Sequence, residues 1–160
     1  MLRRSSTKLA EKIPNATSGP QIPVWTPYLS VGNAKLDEQH ITLLVLGQNL
    51  LRLLQMDQLR NDEIQDLLND IAGLVAMHDA LEESVLEENG CPTLAEHKAT
   101  HEVSRAKLAG LISDASNNSL DKTVLAREIA DWKEHHIREN DMPVKQYMKA
   151  NPRLLEDSAH

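Results

Sequence analysis

Along most of the chain apolar residues recur at intervals of three and four, the spacing that collects side chains on one face of an α-helix. Four such stretches follow one another. The first, expected over about 35–57, carries Leu43, Leu44, Gly47, Leu51 and Leu54 on one face. The second is expected over about 61–88, with Asn61 as N-cap and Asp62 and Glu63 in its first turn. Its stripe is Ile64, Leu67, Leu68, Ile71, Val75 and Val85. Asn89 and Gly90 stop it, Cys91 and Pro92 turn the chain, and Thr93 with Glu96 has the pattern of a capping box. The third helix then reaches about Ser113, followed by a polar loop over 114–119. A fourth, expected over about 120–140, places Leu125, Ile129 and Trp132 together, and Pro143 forces its end. A short last helix is expected over 144–149. Four amphipathic helices with short connections describe an all-α, up-down-up-down four-helix bundle.

Polar residues interrupt each stripe. His40 lies on the face of the first helix, His78 and Glu82 on the second, and His136 on the fourth. His97 and His101 share a face of the third with Leu108 and Leu111. Polar groups on a buried face are costly unless they are paired or coordinate a metal. A further carboxylate, Asp141, follows His136 by five residues. On a continuous α-helix that offset turns it away, but unwinding ahead of Pro143 would let it swing back. The set is then five imidazoles and two carboxylates, too many donors for one ion and suited to two. Two octahedral ions offer about twelve positions. Five go to histidines, four to two bridging carboxylates and two to a bridging oxide or hydroxide, leaving one open. Imidazole with carboxylate and an open position suits non-haem iron, whereas a structural zinc site stops at four ligands and favours cysteine. His135, off the stripe, and His160, in the tail, read as solvated. Cys91 reads as an incidental free thiol, and Trp132 as a core aromatic placed to wall the site.

Composition narrows the partners. The 160 residues suit one domain, and the absence of Phe with abundant Leu, Ala and Glu favours helix. A formal net charge of −7 argues against nucleic acid and anionic membrane. No apolar run approaches the roughly 20 residues of a membrane span, and the basic start is not followed by the apolar core of a secretory signal. One cysteine suits a reducing compartment, so the expected location is cytoplasmic. Residues 1–24 read as a flexible tail, 25–150 as the bundle with an N-terminal arm beginning at Trp25, and 151–160 as a C-terminal tail. Oligomeric state leaves no mark in the pattern.

With these residues assembled, the chain resembles the bacterial hemerythrins, a non-haem di-iron family that binds dioxygen. The likeness runs from Trp25 to about Asp141. It rests on Ser30-Val31-Gly32, on Asp37 to His40, on His78 with Glu82 and Glu83, on His97 with His101, and on Trp132, His136, Ile137 and Asp141. The resemblance implies that His97, His101 and His136 hold one iron. His40 and His78 would hold the other, which keeps the open position for dioxygen, and Glu82 and Asp141 would bridge. Two residues depart from the family pattern: Asp79 replaces a Phe and Lys133 replaces an apolar residue, often Leu. Facing inward, they would make the gas pocket polar or pair across it as a gate, and would promote oxidation of the centre. Turned outward, they would have no effect. The expected function is reversible binding of dioxygen or nitric oxide for storage, delivery or sensing, without enzymatic turnover. A di-iron peroxidase or nitric oxide reductase is the alternative. An iron-buffering or regulatory protein contacting a partner through residues 1–24 is a third.

Overall fold

A computed structural model describes residues 24–56 and 60–149 of the chain. The expected tails therefore lie outside the described residues, apart from Val24 and Trp25 to Asn33 of the arm. Four helices follow in order: α1 (Ala34–Leu54), α2 (Asn61–Glu88), α3 (Leu94–Ser116) and α4 (Lys122–Lys133). α4 continues as a π-helix over Glu134–Asp141, then a turn of α-helix, α5 (Met142–Val144), and a 3-10 turn over Lys145–Tyr147. α2 packs against both α1 and α3, and α1 closes against α4. This is the all-α four-helix bundle that the periodicity predicts.

The helix ends are set by local chemistry, and several differ from expectation. α1 starts where the Asn33 side chain accepts from the backbone N–H groups of Lys35 and Leu36. α2 does not use Asn61 as its cap; Arg60 holds that place, and the Asn61 amide instead reaches Asn118 across the α3–α4 turn at 2.6 Å. Thr93 makes no side-chain cap for α3, so the capping box does not form. Its hydroxyl lies 3.6 Å from the sulfur of Cys91, a free and buried cysteine. α3 runs one turn further than expected, to Ser116, whose hydroxyl bonds back to the carbonyl of Ile112. The turn that follows it passes through Asn118, where φ is +54°. α4 begins two residues later than expected because Asp121 caps it, accepting from Thr123 and Val124.

The larger correction is at the end of α4. The sequence reading expects the helix to fray before Pro143; the structure instead widens it into a π-helix. Pro143 has no N–H to return to the carbonyl of Glu139, so the α register cannot continue across it. A π-helix repeats over five residues, which places His136 and Asp141 on one face. Pro143 then falls in the first turn of α5, where a missing N–H costs nothing. The last helical turn accordingly lies at 142–147 rather than 144–149.

The apolar core comes in two parts. The larger joins Leu43, Leu44 and Leu50 of α1, Ile64, Leu68 and Val75 of α2, and Leu125 and Ile137. The smaller gathers Val31, Leu36, Leu86, Cys91, Val144 and Met148 at the other end of the bundle. In α1, His40 falls between Leu36 of the second part and Leu43 of the first, and in α2, His78 and Glu82 fall between Val75 and Leu86. The polar residues thus form a layer between two apolar ones. Burying each large aliphatic side chain contributes about 2 kcal/mol, which holds that layer in place.

The arm is tied down at both ends of its turn. Asp37 accepts from the Ser30 hydroxyl at 2.6 Å and from the Val31 N–H at 2.9 Å. Val31 is fully buried, whereas Tyr28 stands in solvent. Gly32, at φ +81°, makes the bend between Val31 and Asn33 that an L side chain would strain. Asn33 also donates to the Met148 carbonyl at 2.9 Å, joining the arm to the C-terminal turn. Replacing it (Asn33→Ala) removes a cap and a buried cross-link together. A loss of about 2–3 kcal/mol in unfolding free energy is expected by urea denaturation. A loss below about 0.5 kcal/mol would show that the cap and cross-link do not matter.

Candidate metal centre

The seven residues singled out from the sequence converge. His40, His78, Glu82, His97, His101, His136 and Asp141 are all buried, none more than 5% exposed. The pattern of contacts between them is unusual for a metal-free polar cluster. The Nε2 of His78 lies 3.1 Å from that of His40 and 3.0 Å from that of His136. It also lies 3.0 Å from Oε2 of Glu82. The other oxygen of Glu82, Oε1, is 2.7 Å from Nε2 of His97. Asp141 places Oδ2 at 3.1 Å from His40 Nε2 and 3.5 Å from His136 Nε2, with Oδ1 at 3.8 Å from His97 Nε2. Each of the two carboxylates therefore faces donors from two different groups.

Outer partners fix which ring nitrogen points inward. Nδ1 of His78 donates to Oε1 of Gln39 at 3.1 Å, and Nδ1 of His101 donates to Oε1 of Glu83 at 2.9 Å. A ring that gives its Nδ1 proton outward presents a lone pair at Nε2. At His78 that lone pair meets the lone pairs of Glu82 Oε2, an arrangement that is repulsive unless a cation stands between them. Glu82 Oε2, both oxygens of Asp141 and His101 Nε2 have no hydrogen-bond partner. Uncompensated buried polar atoms cost about 1–3 kcal/mol each. Two atoms bound to one ion at about 2.1 Å, at right angles, sit about 3.0 Å apart. The donor set therefore fits metal ions, in chemistry and in spacing.

Distances sort the donors into two groups that share both carboxylates. One is His40, His78 and His136 with Glu82 and Asp141; the other is His97 and His101 with the same two, and His136 lies within the same reach of His101 and Asp79 as well. The resemblance places His136 with His97 and His101 instead. In this structure the His136 ring packs between the groups, its centroid 5.1 Å from that of His78 and 5.5 Å from that of His101. Trp132 stacks on its other side at 4.5 Å and 17°, so the aromatic does wall the centre.

Burial governs the electrostatics. Burial, reinforced by the neighbouring His78, pushes His40 down to about 3, and the same causes hold His136 well below the usual histidine range. Burial also acts to raise Glu82, but the imidazoles around it, with His97 hydrogen-bonded to Oε1, outweigh it and hold that carboxyl well below its usual range. Asp141 is pushed well up, by burial and by the Glu82 charge beside it.

Asp79 answers the question of whether the departures from the family pattern face inward. It is buried, and its cation is Arg105, which donates to Oδ2 at 2.5 Å. The anticipated partner Lys133 has a side chain outside the described residues. Three functional neighbours were not given roles from sequence: Gln39, Glu83 and Arg105. Gln39 and Glu83 sit beside His40 and Glu82 in the chain, and Arg105 extends the four-residue series of His97 and His101. That series was the signal available for it. His135 is exposed, as expected, with Nδ1 on the Asp131 carbonyl; His160 lies outside the described residues.

A profile of the Hemerythrin HHE cation binding domain matches residues 31–147. The chain belongs to the hemerythrin family. It is 30% identical over 132 residues to a bacteriohemerythrin of Stenotrophomonas maltophilia (strain R551-3), covering 80% of this chain and 82% of that protein. The crystal structure of a hemerythrin mutant superposes with a TM-score of 0.73 at 23% identity, over 81% of this chain and 99% of the other. The hemerythrin fold is therefore common to both.

The depressed basicity of His40 gives a pH signature for the metal-free protein. As pH falls, the unfolded chain takes a proton at His40 near pH 6.5, which the folded chain refuses until about 3. The stability His40 contributes is complete above about pH 6.5 and lost as pH falls toward 3. Asp141 acts in the opposite sense, so the expectation is a difference between two proteins rather than the slope of one. Between about pH 6 and 4, chelator-treated wild type should lose unfolding free energy faster than His40→Leu, by up to about 1.4 kcal/mol per pH unit. Parallel slopes in urea denaturation would contradict it.

Proposed function

We propose that this hemerythrin-family protein holds two iron ions with a bridging oxide or hydroxide, and binds dioxygen or nitric oxide reversibly. Its role on this reading is gas storage, delivery or sensing rather than turnover. The observation that carries it is Glu82, whose two oxygens lie 3.0 Å from His78 and 2.7 Å from His97. One carboxylate facing two donor groups is the arrangement that two neighbouring ions require. His40, His78, His97, His101 and His136 would supply imidazole, and Glu82 and Asp141 would bridge. Bound iron would supply reversible electron donation to the gas.

The chain's own residues prepare the site. Gln39 and Glu83 orient imidazoles from behind, a role that ordinarily affects metal affinity by about 10–100-fold. A cavity of about 170 Å³ adjoins the centre, lined by Leu43, Ile71, Val75 and Trp132 together with His136 and the charged Lys107, Glu128 and Asp131. It is large enough for a small apolar gas. No helix among the described residues is long and apolar enough to cross a membrane. We place the protein in the cytoplasm, in keeping with its one free cysteine. A di-iron enzyme is the second reading, favoured by the buried Asp79 and its half-exposed partner Arg105, which set charge beside a redox centre. Partner contact through residues 1–24 is the third, and those residues lie almost entirely outside the described part.

Purified protein should carry two irons per chain. Exposed to oxygen, it should develop a peroxide-to-iron absorption band that disappears under vacuum and returns with oxygen. Glu82→Ala should lower the iron content to one per chain or less while the helical circular dichroism persists. Rapid bleaching with turnover of peroxide or nitric oxide would favour the enzyme instead. Two irons retained without Glu82 would remove the basis of the proposal.

A further inference from the structure

Where α2 and α3 face each other beside the centre, they carry a second polar arrangement. Asp79 and Glu83 stand one turn apart on α2, and His101 and Arg105 one turn apart on α3. The four meet as a square. Nδ1 of His101 lies 2.9 Å from Oε1 of Glu83, and its Nε2 lies 3.8 Å from Oδ1 of Asp79. Nη1 of Arg105 lies 2.5 Å from Oδ2 of Asp79 and 3.7 Å from Oε1 of Glu83. One oxygen of Glu83 thus faces both the imidazole and the guanidinium. Of the four side chains, only His101 belongs to the seven donors.

The stretch of α3 that carries the two imidazoles has little apolar anchorage. Leu94 packs on the smaller cluster, and Leu108, Leu111 and Ile112 pack on the larger. Among the described residues, none of α3 between Leu94 and Leu108 joins either cluster, and Val103 there is 60% exposed. α2 is the one helix on which α3 packs extensively. Over this stretch the anchors to α2 are polar: His97 on Glu82, His101 on Glu83, and Arg105 on Asp79 and Glu83. Only the Arg105 anchor involves no metal donor. An exposed ion pair would add little. Asp79 is 1% exposed, however, so losing Arg105 leaves a buried carboxylate without its cation, which is strongly unfavourable.

We propose that Arg105 is a positioning residue for the metal centre. Through Asp79 and Glu83 it clasps α3 to α2 and fixes the His101 ring, with or without metal. Its charge keeps Oε1 of Glu83 turned inward, so the Nδ1 proton of His101 keeps its acceptor and Nε2 stays aimed at the centre. His101 stands with His97 both in the resemblance and in this structure, so the ion these two hold is the one that depends on Arg105. The consequence for iron rests on the two-metal reading above; the clasp itself does not.

Two measurements test it. The first compares iron-loaded wild type with Arg105→Gln, following iron loss to excess chelator and Mössbauer spectra of the diferrous form. One iron should leave the variant about tenfold faster than it leaves wild type, while the other leaves within about twofold. One of the two quadrupole doublets should shift and the other stay. Unchanged release with both doublets unmoved would overturn the positioning role. Equal acceleration of both irons would overturn it too, leaving Arg105 a general structural residue. The second measurement needs no variant and decides the matter if Arg105→Gln does not fold. It follows amide hydrogen exchange in wild type before and after iron removal. A clasp independent of metal keeps protection over 102–107 within about threefold of that over 108–112 once iron is gone. Selective loss of protection over 102–107 would show that metal alone holds this stretch, and the clasp would be discarded. Fewer than two irons in wild type would remove the two-metal reading, with the exchange result still judging the clasp.

Discussion

Burying charged and polar side chains inside a bundle of leucines is the constraint on which everything else in this protein depends. Seven such groups meet in one layer, with apolar side chains closing the bundle on either side. Protein hydrogen bonds cannot satisfy them, because Asp141 has two oxygens without partners and Glu82 and His101 each contribute another. A layer of this kind opposes folding unless cations complete it. Metal binding and folding are therefore coupled here, and the apolar clusters at each end give the structure enough stability to hold the layer together. α3 shows the balance most clearly: its fully buried residues are His97, His101 and Ala115, and Leu108, Leu111 and Ile112 pack half-buried against the apolar cluster.

The second determinant is local. Pro143 stops the α register, and the chain answers with a π-helix over Glu134–Asp141. That one change of pitch brings Asp141 onto the face of His136 and carries a carboxylate into a site otherwise supplied from regular helices. Simple fraying would leave Asp141 free to move, whereas the π-helix holds it buried beside His40 and His136. The geometry of the centre thus derives from a proline that coordinates nothing.

Much of this was legible in the sequence. The stripe of Ile64, Leu68, Ile71 and Val75 leads directly to His78 and Glu82, so helix faces and donors could be read together. The capping details were less legible, because Asn61 and Thr93 have the right side chains for caps but use them elsewhere, on Asn118 and toward Cys91. Such choices are decided by neighbours far along the chain, which periodicity does not record. The same holds for Asp79. Its place beside His78 showed that it was near the centre, but its partner is fixed by the packing of α2 on α3, which brings Arg105 to it. Which donors stand together is likewise a property of packing: His136 is 3.0 Å from His78 although 58 residues separate them.

The central claim is that two ions share one cavity through Glu82. X-ray absorption at the iron edge on the oxidised, iron-loaded protein addresses it without any variant. The result expected is a metal–metal vector of about 3–4 Å in the fine structure, the separation at which one carboxylate spans two ions. A first shell of nitrogen and oxygen with no metal vector would contradict it.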